Sequence, residues 1–148
     1  YYMWDLVLHI KTPPEIGNYA EQVTRNGGWE AIASPDGRYV YYAQRSQPGI
    51  WRVPVEGGEE TKVLNRGGQG RWAVAASGLY LADTTADGIP FVERFPFDGG
   101  PSTRVAELPK GAVIASGPAL TVSPDGRTIV LGLIDQTESD ILLVENFR

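Results

Sequence analysis

Cysteine is absent from the 148 residues, and histidine occurs once, at His9. The first absence excludes disulfides and thiolate metal sites, and it leaves the redox compartment open. The two together exclude the usual zinc ligand sets. His9 lies inside an apolar strand-like stretch, where a packed or edge imidazole is the plain reading, and no Gly-x-Ser-x-Gly nucleophile turn accompanies it. An excess of positive charge is missing as well. The formal net charge is −5, which argues against a binder of nucleic-acid backbones, since such a protein needs a basic face. The opening run YYMWDLVLHI is ten residues long and carries Asp5 and His9, too short and too polar to span a bilayer. It also lacks the basic flank and cleavage site of a signal peptide. The chain begins at Tyr1 rather than methionine, as expected of a mature form or a piece of a longer polypeptide. Helical patterning is lacking too: nowhere do apolar residues recur at i, i+3, i+4 and i+7 for three turns.

What the chain does hold is glycine and proline, 18 and 11 respectively, spread along its length. Between them sit short runs of β-branched and aromatic residues, the pattern of an all-β protein. The stretch IWRVPVEGGEETKV at 50–63 has an ungapped counterpart 42 residues later, VERFPFDGGPSTRV at 92–105. Ile50 matches Val92, Arg52 matches Arg94, Pro54 matches Pro96, and Gly57-Gly58 match Gly99-Gly100. A second pair, SPDGRYVYYA at 34–43 and SPDGRTIVLG at 123–132, stands 89 residues apart, with AASGLYLAD at 75–83 in the intermediate position. Ser34-Pro35-Asp36-Gly37 reads as a tight turn: proline presets φ, aspartate favours the turn, and glycine accepts positive φ. Gly57-Gly58 reads as a two-residue hairpin.

Each period therefore predicts four short strands. They are Trp29–Ala33, Arg38–Ala43, Ile50–Val55 and Thr61–Leu64 in one copy, then Trp72–Ala76, Leu79–Asp83, Phe91–Phe97 and Thr103–Glu107 in the next. The last copy supplies Ala119–Val122, Thr128–Ile134 and Ile141–Glu145, while DLVLHI and AEQVT read as the final two strands of an earlier unit. Four strands in 42 to 45 residues is the size of a β-propeller blade. The predicted fold is all-β: blades of four-stranded antiparallel sheets, about three to three and a half in number, left incomplete or closed by oligomerisation. The predicted divisions are 1–24 (last strands of a preceding blade), 25–64, 65–108, and 109–148, a C-terminal blade without its outer strand. Stacking covers both faces of each sheet, which explains why YVYY and TIVLGLI lack strict alternation. A two-sheet sandwich is the competing architecture, but it gives no reason for aligned copies.

SPDGR followed by a strand and then IWRVPVEGGE resembles the TolB-like, WD-type propeller repeat of bacteria over residues 22–148, and the closing DQTESDILLVENFR is similar to the C-termini of propellers fused to bacterial serine/threonine kinases or winged-helix regulators. The middle copy departs from the pattern at Ala76-Ser77-Gly78, which lacks both Pro and Asp. The resemblance implies a non-catalytic propeller module for protein or ligand interaction, extracytoplasmic (periplasmic or at the cell surface). The alternatives are a propeller that gates a prolyl-oligopeptidase-like peptidase, or a self-assembling, filament-type subunit. The expected partner is a protein or a second copy. Neither nucleic-acid binding, nor membrane insertion by this segment, nor any cofactor or metal is expected.

Two groups of side chains are candidates for contact. Asp83 and Asp87 in the middle copy correspond to Asp135, Glu138 and Asp140 in the last, while the first has Arg45 there. Stacked blades would gather these loops into an acidic rim for a basic partner. The spacing of Asp83 and Asp87 lacks the one-three-five pattern of a calcium loop. The glycine-rich Asn26-Gly27-Gly28 and Gly67-Gly68-Gln69-Gly70 precede inner strands, not helices, so they read as close backbone approaches rather than phosphate loops. Arg25, Arg66 and Arg71 beside them form a candidate anion site at a pore mouth.

Overall fold

In a computed structural model of the chain, residues 8–11, 19–134 and 139–145 are described, with the backbone alone considered at 8–11, 19–21 and 139–142. No helix occurs among them, and the strands group into one two-stranded and three four-stranded antiparallel sheets. This is the all-β, blade-like architecture that the repeat predicts. The chain divides between Gly68 and Gln69 into two compact units.

The first unit begins with β1 (Leu8–Lys11) paired to β2 (Tyr19–Gln22). Its four-stranded sheet is a meander of β3 (Trp29–Ala33), β4 (Tyr39–Ala43), β5 (Ile50–Pro54) and β6 (Thr61–Leu64). From Val40 to Ala43 every residue of β4 is buried, so both of its faces are covered. Val40, Tyr42 and Val53 pack with Val23 on one face, and Trp51 and Val55 flank them. Strand β3 carries a bulge between Trp29 and Ile32, where Glu30 takes a positive φ of 53°.

The second unit repeats the meander in β7 (Trp72–Ala75), β8 (Gly78–Thr84), β9 (Pro90–Phe95) and β10 (Thr103–Glu107). Its last sheet holds β11 (Val113–Ile114), β12 (Leu120–Val122), β13 (Thr128–Ile134) and β14 (Ser139–Glu145). Both β11 and β12 pair with β13, at its C-terminal and N-terminal halves respectively, and β14 also pairs with it. The two sheets of this unit share one core. Ala73, Ala75, Tyr80, Ala82 and Val92 from one meet Ile114, Leu120, Ile129 and Leu131 from the other. Each such side chain, fully buried, contributes roughly 1.5–3 kcal/mol when it is the size of leucine or larger.

The strand limits follow the expected ones closely, with two differences. Gly57-Gly58 do not form a two-residue hairpin: the link from β5 to β6 runs over residues 55–60, and its turn is closed by Gly57 N–H donating to the Pro54 carbonyl at 2.9 Å. The matched link repeats this closure with Gly99 N–H on the Pro96 carbonyl at 3.3 Å. The true two-residue hairpin is Ala76-Ser77, since Ala75 and Gly78 are register partners. The second difference is β11, two residues long, which sequence patterning does not predict. In the outer strands the matched Lys62 and Arg104 each lie over a ring, Trp51 at 5.2 Å and Phe91 at 4.2 Å. The matched cations thus each cover an aromatic ring, though the rings stand at unmatched positions of the two sheets.

Candidate interaction surfaces

The repeated Ser-Pro-Asp-Gly-Arg stretches fold into near-identical polar turns. Gly37 N–H donates to the Ser34 carbonyl at 2.9 Å, and Gly126 N–H donates to that of Ser123 at 2.8 Å. The serine hydroxyl donates to the aspartate Oδ1 at 2.6 Å in both, to Asp36 and to Asp125. That same oxygen accepts from the following arginine's N–H, at 3.0 Å from Arg38 and 3.1 Å from Arg127. The serine Oγ in turn accepts at 2.9 Å from the first strand residue, Tyr39 or Thr128. Ser34 and foremost its hydroxyl bond, then the Arg38 backbone and side chain, hold the Asp36 carboxyl down at about 2. Asp125 is lowered by the same kind of contacts, from Ser123 and then Arg127.

A second polar node lies in the first unit. Glu60, at the end of the long link, accepts from the Arg25 backbone N–H and, at 2.8 Å, from the Asn26 side-chain amide. Burial pushes the Glu60 carboxyl up, but these donors together with the Tyr42 hydroxyl outweigh it and leave the group below its ordinary range. Burial first, and then the Glu60 carboxylate, push the Tyr42 phenol well above the tyrosine range. The phenol is fully buried and stays protonated at any physiological pH.

Asp83 and Asp87 lie respectively near the end of β8 and in the link from β8 to β9. Asp83 is half-buried in β8 opposite Phe91, and its Oδ1 accepts from Thr84 N–H at 2.8 Å. Asp87 is exposed in the turn that Gly88 closes by donating to the Thr85 carbonyl at 2.9 Å. Asp140 stands opposite Leu133 in β14, and its side chain lies outside the described residues, as do Asp135 and Glu138 altogether. The equivalent link of the first unit presents Arg45, whose guanidinium lies 5.1 Å from the Trp29 ring centre. His9 lies in β1, with its side chain outside the described set. Among the described residues no group of three metal-ligating side chains converges.

Of the arginine candidates, Arg25 and Arg66 belong to the first unit and Arg71 to the second. Arg25 is exposed and Arg66 half-buried. Arg71 donates a guanidinium N–H to the Ile114 carbonyl at 3.2 Å, and its own carbonyl accepts from Ala82 N–H at 2.8 Å. Gly70 beside it accepts from Ala119 N–H at 2.7 Å and from Leu120 N–H at 3.2 Å. Gly70-Arg71 therefore stitches one sheet of the second unit to the next. The close backbone approach expected of the glycine-rich stretch is present here, and a Cβ on Gly70 would collide with the Gly117 carbonyl. Glu60 is not legible as a node from sequence, because its partners at 25, 26 and 42 are brought together only by the fold.

No family model and no curated protein matches this chain. Its structure is similar to a crystal structure of a protein described as a 6-phosphogluconolactonase, from Bacteroides uniformis, with a TM-score of 0.51 and 13% sequence identity. The match covers 95% of this chain but 52% of that one, so the chain spans about half the length of the protein it resembles. At this identity the likeness is one of fold, a β-rich, propeller-like arrangement.

Proposed function

We propose that this chain is part of a non-catalytic, TolB-like propeller that binds a protein partner through the links between the second and third strands of its blades, outside the cytoplasm. The observation that carries this reading is a constant frame with a variable edge. The polar turns at Ser34 and Ser123 share their serine-to-aspartate bonds, while the second-to-third links differ in charge: Arg45 in one, and Asp87 in the next with Asp83 near the strand end before it. A rigid scaffold with divergent loops is how recognition surfaces are commonly built. A basic partner would gain in encounter rate from the acidic links, and that gain would fall with salt.

A photo-crosslinker at Ala86, exposed beside Asp87, tests this in the native host. It is expected to trap one polypeptide with a basic surface, and Asp83→Lys with Asp87→Lys should abolish the adduct while leaving the fold intact. Equal trapping by the reversed-charge variant, or none by either, overturns the reading. A catalytic reading is favoured only by the enzymatic description of the structural neighbour. Assay of lactone hydrolysis decides it: a turnover above the uncatalysed rate that disappears on a single carboxylate or histidine substitution would replace the scaffold reading.

A further inference from the structure

The last sheet of the second unit has one face in a core and one face open. Along β13 the side chains alternate. Ile129, Leu131 and Leu133 turn into the core shared with the neighbouring sheet, with Ile114, Leu120 and Val144 beside them. Val130, Gly132 and Ile134 turn the other way, and register places Val113 opposite Ile134, Thr121 and Leu143 opposite Val130. This second face is apolar and largely open: Val113 is 53% exposed, Ile134 45% and Leu143 56%, while Val130 between Thr121 and Leu143 is half-buried. Large aliphatic residues so exposed on one sheet face form a patch of the kind that marks a contact surface.

The repeat says what covers such a face. Val130 and Gly132 align with Tyr41 and Ala43 across the Ser-Pro-Asp-Gly-Arg copies. Strand register extends the equivalence to Tyr80 and Ala82, since Tyr80 faces Arg94 as Tyr41 faces Arg52 and Val130 faces Leu143. In the first two sheets these positions are closed: Tyr41 is 3% and Ala43 1% exposed, Tyr80 1% and Ala82 3%. For Tyr80 and Ala82 the cover is visible. It is the inward face of the next sheet, with Ile129 and Leu131, joined through the bonds from Ala119 and Leu120 to Gly70.

We infer that the face formed by Val113, Val130, Ile134 and Leu143 is the docking surface for a further four-stranded sheet of this same repeat, carried by the same polypeptide. It continues an interface that already exists between the two sheets of the second unit. A structure of the same fold carries about as much chain again beyond the matched part, since 52% of it corresponds to this chain. The incoming sheet presents alternating large aliphatic residues like Ile129 and Leu131.

The cysteine-free chain makes the test direct. Single cysteines are placed at Val130 and Leu143, with Ala86→Cys as the open reference and Ala82→Cys as the covered one. Alkylation by iodoacetamide is followed in the 148-residue chain and in the natural-length gene product. In the short chain Leu143→Cys should react within about two-fold of Ala86→Cys, and Val130→Cys, at a half-buried position, within about five-fold. In the natural-length product each should react at least ten-fold slower than in the short chain, with Ala86→Cys unchanged. If Val130→Cys disturbs the fold, Thr121→Cys on the same face reads the same question. Fast reaction in the natural-length product overturns the inference, as does a natural product of only these 148 residues. Protection of the short chain that grows with its concentration assigns the cover to a second copy, and it too overturns the inference.

Discussion

Asp36 and Asp125 occupy the same step of two turns 89 residues apart, and each accepts from a serine hydroxyl and a backbone N–H. These bonds favour the ionised carboxylate, which is why Asp36 is held at about 2, below its ordinary value. A carboxylate whose folded pKa lies under its unfolded one stabilises the fold above the unfolded value near 3.9, and that contribution is lost as pH falls through the folded value. For Asp36 the window runs from about pH 4 down to about 2. Asparagine at this position keeps the acceptor oxygen and loses the charge. Thermal midpoints of the native protein and of Asp36→Asn, measured from pH 6 to pH 2, should therefore converge toward the acid end. Parallel curves would refute the assignment. Glu60 makes a different demand on its surroundings, because one carboxylate organises a turn 34 and 35 residues earlier in the chain. Glu60→Ala should raise amide exchange at Arg25 and Asn26 and leave the polar turn at Ser34 protected, a pattern that exchange measured residue by residue reads directly.

Among the elements, the glycine-rich stretches show how a sequence announces a requirement without naming its partner. Gly70 combines a φ of +74° with backbone packed against Gly117 and Pro118. Gly99 has a φ of +79° and open space where its Cβ would be. Gly99→Ala should cost about 1 kcal/mol, the conformational term alone, and Gly70→Ala about 3 kcal/mol, because the sheets it stitches must separate. Urea midpoints of the two variants check the ordering. The Ser-Pro-Asp-Gly-Arg turns and most strand limits are legible in the sequence because every determinant lies within five or six residues. The Gly57-Gly58 link is less so: a glycine doublet fits a two-residue hairpin and an extended link equally well, and the choice rests on Pro54 accepting from Gly57. Strand β11 is illegible for a similar reason, since Val113 and Ile114 become a strand only by pairing with Ile134 and Leu133. Of the candidate site, the alternation of charge between Arg45 and Asp83 with Asp87 is readable from alignment of the copies. Arg71 could not be placed from sequence, because its guanidinium partner is a backbone carbonyl 43 residues away.

At the scale of the whole chain, the physical question is which sheet faces are already dry. Strands β4 and β8 are covered on both sides, whereas β13 is covered on one. Neighbouring residues of β13 thus report on opposite environments within one strand. Leu131 is buried in the shared core, and removing its branched end leaves a cavity among Tyr80, Ala82 and Leu120. Leu131→Ala should cost about 2–5 kcal/mol. Val130→Ala removes two methyls from a half-buried position on the open face and should cost about 1 kcal/mol or less. Urea unfolding of the 148-residue chain, with slopes held equal to confirm that the same surface is exposed, measures both. The asymmetry is the signature of a sheet with one unpartnered side. Equal costs for the two substitutions would mean that Val130 is dry in the 148-residue chain itself, and the uncovered face would then have to be given up.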